Sequence, residues 1–393
     1  MSDTQKHTKP NVPNLRFPGF DGEWEECTIK DFGRVVTGST PPTSDNRYYE
    51  NGSRLWASPA DLHGDKYILE TCTKLSEDGF AKTRIIPQGA TMVTCIGSTI
   101  GKMGMASFEM STNQQINSII SNTQTDSQYL YYAIQARFPR YSQSIAVQAV
   151  PILSKSSFEQ LKNYRPLLQE QQKIGSFLDL IDRRITIQNK IIEDLRKLKS
   201  ALCERLYEES NPNTRLGDII EQQSIRNKAT EELKVLSVSN RYGFVEQSEQ
   251  FEDRSVASDD TSNYKIVSLN DFAYNPARIN VGSIARLKFF EKGIVSPMYI
   301  CFRCTRGVLP EFLEPFFYTN YFSLEMGKRL EGSVRMCLSF DGLCNIPINI
   351  PSYEEQIETA KKVNALNDKL KLEETYSNLL SAQKEYILSQ LFI

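Results

Sequence analysis

From Glu170 to Tyr207 the chain contains no proline, and its one glycine, Gly175, lies in the first turn. Across that stretch Ile174, Leu178, Ile181, Ile185, Ile192, Leu195, Leu202 and Leu206 recur at spacings of three and four residues or their multiples. That is the stripe of a long amphipathic helix, roughly 57 Å long at the helical rise. Pro166 precedes it and Asn211-Pro212 ends it. A second stripe runs from Glu355 to Phe392 through Val363, Leu366, Leu370, Leu380, Ile387 and Leu391. Elsewhere the periodicity shortens. Val35-Val36-Thr37, Thr91 to Ile96, Asn117 to Ile120, Val235 to Ser239 and Met298 to Phe302 read as short strands bounded by turn residues, and Tyr129 to Arg137 as a helix.

The two stripes belong to an internal repeat. Slid on itself by 185 positions, the chain places Pro166-x3-Glu170-Gln171 on Pro351-x3-Glu355-Gln356, and Leu153-Ser154 on Leu338-Ser339. Leu195, Lys199 and Leu206 fall on Leu380, Lys384 and Leu391. Upstream, Ile29-Lys30-Asp31-Phe32 parallels Leu216-Gly217-Asp218-Ile219, and Ile100-Gly101 parallels Val281-Gly282. The organisation expected is α+β: a tail at 1–22, a mixed domain at 23–166, a long helix at 167–211, a second mixed domain at 212–350 and a second long helix at 351–393. Each helix must bury its stripe, and the obvious partner is the other, in an antiparallel coiled coil with a pseudo-twofold. The expected seam includes Ile181, Gln188, Leu195, Leu366, Glu373 and Leu380. Gln188 and Glu373 interrupt their stripes at the same repeat position, where a polar pair would fix register at some cost in stability. Two unrelated surface helices are the bland alternative.

The strand ends of both mixed domains carry polar loops. In the first they offer Ser39, Thr40, Ser98, Thr99, Lys102, Gln114, Gln115, Gln143 and Gln148; in the second Asn240, Arg241, Arg278, Asn280, Ser283, Arg286 and Arg335. Arginine suits guanine, Asn and Gln suit adenine, and hydroxyls suit either, so these side chains can read base edges. Gly97 and Gly101 allow close backbone approach, with Lys102 in reach of a phosphate; a plain hairpin turn is the alternative there. Asn275-Pro276-Ala277-Arg278 lacks the second proline and the aromatic of an amino-methyltransferase motif and reads as a turn.

Net charge, −2, does not favour a polyanion partner. Local charge is compatible with one, ordinary solvated surface being the alternative: Arg137, Arg140, Lys155, Lys162 and Arg165 stand against Glu159 alone, and Arg278, Arg286, Lys288, Lys292, Arg303 and Arg306 against Glu291 alone. With 40% hydrophobic and 24% charged residues the chain reads as globular. No stretch is long and apolar enough for a membrane span, and the polar start at Met1–Pro13 lacks the apolar core of a signal peptide, so the expected location is the cytoplasm. Eight scattered cysteines then read as buried hydrophobes. Cys301-x2-Cys304 with Cys337 and Cys344 could supply four zinc ligands, but one CxxC in an alternating apolar run is a weak signal, and no metal is expected. The two histidines, His7 and His63, build no catalytic triad, and neither a P-loop nor a dinucleotide glycine motif is present. No catalytic residue is expected.

Two variable mixed domains, each followed by a long helix opening with Pro-x3-Glu-Gln, resemble the specificity subunit of type I restriction-modification systems. The resemblance rests on Trp24 with Ile29-Lys30-Asp31-Phe32, Thr37-Gly38-Ser39-Thr40-Pro41, and Pro166-x3-Glu170-Gln171-Gln172-Lys173-Ile174; Asn14 to Phe20 also fits, while Ile357-Glu358-Thr359 departs from the pattern in the second helix. It implies that each mixed domain is a target-recognition domain reading one half of a bipartite, asymmetric site in double-stranded DNA. The helices would set the unread spacer and dock two methyltransferase (modification) subunits, with a restriction/translocase subunit joining that core. No cofactor would be bound by this chain; S-adenosylmethionine, ATP and Mg would serve the partners. Domains on one face of B-DNA would be centred about 34 Å, or 10 bp, apart. The rivals are a stand-alone DNA enzyme and a protein-only coiled-coil scaffold.

Overall fold

The structure, a computed structural model, describes residues 11–143, 151–208, 212–229, 232–240, 242–247, 260–305, 307–332 and 335–393. The chain divides into two compact units, one formed by 1–190 with 374–393 and the other by 191–373.

In the first unit the elements are β1 (Glu25–Thr28), α1 (Ile29–Phe32), β2 (Gly33–Thr37), β3 (Arg54–Ala57), β4 (Tyr67–Ile68), β5 (Thr73–Leu75), α2 (Glu77–Ala81), β6 (Ile85–Ile86), β7 (Thr91–Thr94), β8 (Met103–Ala106), β9 (Met110–Thr112), β10 (Ile116–Ser121), α3 (Ser127–Gln143), α4 (Lys155–Glu159) and β11 (Lys162–Arg165), followed by the long helix α5 (Leu168–Glu208), which continues into the second unit. β1 and β11 close the domain as an antiparallel pair. A central sheet runs β2-β10-β7-β8-β4, and a second sheet runs β5-β3-β9-β6 with β3 parallel to β9.

The second unit holds β12 (Thr214–Arg215), β13 (Ile220–Gln223), β14 (Val235–Ser239), β15 (Gly243–Glu246), β16 (Lys265–Ser268), β17 (Phe272–Tyr274), β18 (Ile284–Arg286), β19 (Lys292–Val295), β20 (Ile300–Cys304), α6 (Pro310–Phe316), α7 (Asn320–Gly327), α8 (Phe340–Cys344) and β21 (Pro347–Ile348); α9 (Tyr353–Leu391) begins here and ends in the first unit. Its plan copies the first. β12 pairs with β21, the central sheet runs β13-β20-β17-β18, and the second sheet runs β15-β14-β19-β16 with β14 parallel to β19. Strand for strand, only β4 has no counterpart among the described residues.

Side-chain bonds explain why the repeated residues recur. Buried Gln171 fastens the start of α5: its Oε1 accepts from Asp126 N at 3.0 Å, and its Nε2 donates to Gln124 O at 3.2 Å and Pro166 O at 2.9 Å. Gln356 does the same for α9, accepting from Leu309 N at 2.9 Å and donating to Gly307 O and Pro351 O at 3.1 Å each. A buried amide thus satisfies backbone groups that would otherwise be orphaned. Ser154 and Ser339 cap α4 and α8 by accepting from Ser157 N and Gly342 N. Asp31 and Asp218 each accept from a backbone N–H three residues back, Thr28 N at 2.7 Å and Arg215 N at 3.1 Å.

In the first unit, Trp24, Tyr129 and Phe392 pack edge-on or tilted around the end of α9, with Ile174, Leu178, Ile387, Leu388 and Leu391 in the same core. The two long helices run antiparallel in this unit: Lys384 pairs with Asp182 at 2.6 Å, Ser377 donates to Asn189 at 2.8 Å, and Arg184 bonds Tyr376. Of the expected seam, Gln188 and Leu380 are buried, and Ile181, Leu195, Leu366 and Glu373 half-buried; Glu373 also pairs with Lys369 at 2.5 Å. In the second unit Tyr207 of α5 packs on Phe312 and Phe316 and donates to Phe312 O. The expected helix at Tyr129–Arg137 is longer, Ser127–Gln143, and carries Pro139 inside it.

Candidate nucleic-acid interface

In the first unit β10 is antiparallel to both β2 and β7, pairing Asn117 with Thr37 and Ile116 with Thr94. The C-terminal ends of β2 and β7, the N-terminal end of β10 and the start of β8 therefore meet at one end of the central sheet. Seven candidates sit there. Thr40, exposed, donates to Gln114. Ser39 Oγ accepts from Arg84 N at 3.0 Å, and its carbonyl accepts from Trp56 Nε1 at 3.0 Å. Gln115 is held by Asn113, whose Nδ2 donates to its Oε1 at 3.1 Å. Ser98, Thr99 and Lys102 occupy the loop between β7 and β8, with Lys102 and Ser98 exposed. That loop depends on glycine: Gly97 and Gly101 have φ of +91° and +93°, and a Cβ on Gly101 would lie 2.4 Å from Phe138. Gln143 is exposed at the end of α3, and Gln148 lies outside the described residues.

The second unit gathers its loops at the equivalent end. β20 is antiparallel to β13 and β17, pairing Cys301 with Gln223 and Ile300 with Tyr274. Arg278 and Asn280 are exposed on the β17–β18 loop. Asn240 lies against that loop, its Cβ 3.5 Å from where a Cβ of Gly282 would stand. Exposed Arg335 precedes Leu338, whose N–H donates to Pro276 O at 3.1 Å; in the first unit Leu153 N likewise donates to Cys95 O at 2.8 Å. Arg241 lies outside the described residues.

Two candidates must be withdrawn as base readers. Ser283 is buried and its hydroxyl donates to Val238 O at 3.1 Å. Arg286 is 8% exposed; its guanidinium donates to Glu314 at 3.0 Å, to Asn270 at 2.6 Å and to Glu311. Ser283 lies just before β18 and Arg286 ends it, and every residue from 283 to 286 is buried, a burial that the loop-like sequence around Gly282 conceals.

The basic runs are likewise less available than their linear order suggests. Lys155 pairs with Glu159, Lys162 with Glu26, Arg165 with Glu25, Lys288 with Glu314, and Arg303 with Asp271. Exposed Arg84 and Arg226, outside both runs, have no carboxylate partner among the described residues: Arg84 Nη1 donates to Thr37 O at 2.8 Å and Arg226 Nη1 to Asn263 Oδ1 at 2.8 Å. Each has a single lysine two positions away, Lys82 and Lys228, too few to stand out as a charge cluster.

Behind the loops a buried ionic knot ties the first domain to α5. Lys66 Nζ donates to Asp179 at 2.8 Å, to Tyr132 at 3.0 Å and to Gln128. Tyr67 and Arg183 also donate to Asp179, at 2.6 and 2.8 Å. Burial pulls the Lys66 ammonium below its ordinary pKa, opposed by Asp179. For Asp179, burial works upward, but bonds from Lys66 and Tyr67 outweigh it and hold the carboxyl low. Burial pushes the Cys95 thiol, beneath the candidate loops, up to about 12. Among the described residues no group of three or more His, Cys, Asp or Glu converges as metal ligands would, and no helix is long and apolar enough to cross a membrane.

The duplicated sheets and repeated helix starts define a fold of two similar units, each with a long helix, and known proteins share it. Residues 21–197 match the type I restriction modification DNA specificity domain. The first half of the chain thus resembles that specificity domain. It is similar to the type I restriction enzyme MjaIX specificity subunit of Methanocaldococcus jannaschii, 29% identical over 201 residues that cover 48% of this chain and 45% of that one, under half the relative's length. Similarity to the MjaVIII specificity subunit of the same organism extends over 94% of this chain and 92% of the other at 22% identity. The fold is shared with the crystal structure of a type I system S subunit from M. genitalium, at a TM-score of 0.62 and 16% identity, covering 97% and 99% of the two chains.

Proposed function

We propose that this chain is the sequence-reading subunit of a type I restriction-modification complex. Each domain reads one half of a bipartite, asymmetric site in double-stranded DNA, using the loops at one end of its central sheet. The long helices set the unread spacer and dock two methyltransferase subunits, and a restriction/translocase subunit joins the assembly. The chain supplies specificity and assembly and no catalytic group; S-adenosylmethionine, ATP and Mg serve its partners, and it works in the cytoplasm. The observation that carries this reading is the duplicated sheet whose equivalent end gathers, in each unit, exposed Arg, Lys, Asn, Gln, Ser or Thr side chains of the kinds that contact base edges and phosphates.

Genome-wide adenine methylation tests it, comparing cells that hold the chain and its methylating partner with cells lacking the chain. The expected result is a split motif with a fixed spacer only when the chain is present. If both proteins are soluble and associated and no split motif appears, the reading fails and a protein-only scaffold takes its place.

A further inference from the structure

Arg84 and Arg226 occupy corresponding places in the duplicated fold, although the repeat does not align them in sequence. In each unit the segment leaving the first strand of the central sheet crosses to the start of an edge strand of the second sheet. In the first unit this segment follows β2 and meets the residue before β6, through Arg84 N donating to Ser39 Oγ at 3.0 Å. In the second it follows β13 and meets β16: Ile266 N donates to Ile225 O at 2.8 Å, Asn227 N to Tyr264 O at 2.9 Å, and Arg226 bridges Lys265.

At each junction one guanidinium is fastened by a single nitrogen to an uncharged acceptor across the crossing. Arg84 reaches from the β6 side to Thr37 O, and Arg226 from the β13 side to Asn263. The cation comes from opposite partners of the two junctions, yet arrives at the same place. Among the described residues neither has a carboxylate neighbour within ion-pair distance, whereas Arg165, Arg286 and Arg303 all do. Around Arg226 an open concavity of about 690 Å³ is lined by Ser224, Lys228, Ser262 and Asn263 as well. A pinned, uncompensated guanidinium keeps its remaining N–H edge preorganised for an oxyanion. Both flank an edge strand of the second sheet, Arg84 just before β6 and Arg226 bridged to Lys265 of β16. Rigid sheet edges suit contacts that position rather than specify.

We propose that Arg84 and Arg226 are the backbone-phosphate anchors of the two domains, one for each half-site. This rests on the DNA-reading function proposed above. The test uses the full chain assembled with its methylating partner and measures fluorescence anisotropy across a salt series. The probes are a duplex carrying the motif that methylation mapping returns and a scrambled duplex. Arg84→Gln and Arg226→Gln should each weaken binding on the order of ten-fold at low salt, on both duplexes alike. Each should flatten the log–log salt dependence by about 0.9, the double variant by about 1.8, while Arg84→Lys and Arg226→Lys keep the slope. The methylated motif should be unchanged, as should thermal unfolding, since both side chains are exposed. Wild-type slopes in both Gln variants overturn the anchors alone. Relaxed specificity at one base pair makes the arginine a base reader and overturns the phosphate assignment. A wild-type complex that binds neither duplex overturns the DNA-reading function and the anchors with it.

Discussion

The two units share their strand order, their end pairs β1–β11 and β12–β21, and the glutamine that fastens each long helix, but not the chemistry that holds each domain to its helix. In the first unit that hold combines an aromatic cluster with the buried knot of Lys66, Asp179, Tyr67 and Tyr132. In the second no buried ion pair joins domain and helix among the described residues: Tyr207 packs against Phe312 and Phe316, and Glu204 accepts from Asn320 N at 2.7 Å. Even Glu170 and Glu355, aligned by the repeat, differ: Glu170 takes a two-pronged bond from Arg16, at 2.8 Å each, while Glu355 caps Ser352. The difference separates what the fold requires, backbone groups that must be paired, from what it leaves open, side chains on either side of an interface.

Breaking the knot should give the largest asymmetry. Lys66→Met leaves Asp179 buried with a charge and fewer partners, and should cost about 3–5 kcal/mol in urea unfolding. Adding Asp179→Asn should return part of that loss; an unchanged loss would remove the ion pair as its cause. Next come the shared anchors. Gln171→Leu and Gln356→Leu each orphan one backbone N–H and two carbonyls, and should each cost about 2–4 kcal/mol. A loss from only one would end the equivalence of the two helix starts. A smaller effect belongs to acid. Asp31 is held below its ordinary pKa by the Thr28 hydroxyl and then its backbone N–H, and Asp218 by the Arg215 N–H and then the Thr214 hydroxyl. Because folding depresses these pKa values, their stabilisation is present above the unfolded value, near pH 4, and is lost as pH falls through the folded one. Asp31→Asn and Asp218→Asn should flatten the stability profile below about pH 4 and lower stability at neutral pH. Smallest of all, Ser283→Ala should cost about 1 kcal/mol for its bond to Val238 O and leave the methylated motif untouched.

The long helices were legible because periodicity accumulates over many turns: the stripe from Ile174 to Leu206 lies on α5, and Pro-x3-Glu-Gln marks both starts. The sheets were legible only as strands. Their order depends on pairings such as Trp56 with Ser111 and Val235 with Ile294, far apart in the chain, which no local pattern records. At the candidate interface, turn chemistry pointed to Ser39, Thr40, Gln114 and the Gly97–Lys102 loop as strand-end positions, and they lie at one end of the central sheet. Ser283 and Arg286 were misread because the groups that bury and bond them, Val238 O for one and Asn270, Glu311 and Glu314 for the other, are distant in the chain. Arg84 and Arg226 did not stand out because what distinguishes them, the lack of an acidic neighbour among the described residues, is a property of the fold.

The central claim, one half-site per domain, is tested most directly by mapping methylated adenines made with two double variants, Gln114→Ala/Gln115→Ala and Arg278→Ala/Asn280→Ala. The account predicts that the first relaxes one half of the split motif and the second relaxes the other, with the spacer constant in both. Relaxation of both halves by either variant, or an unaltered motif in both, would contradict it.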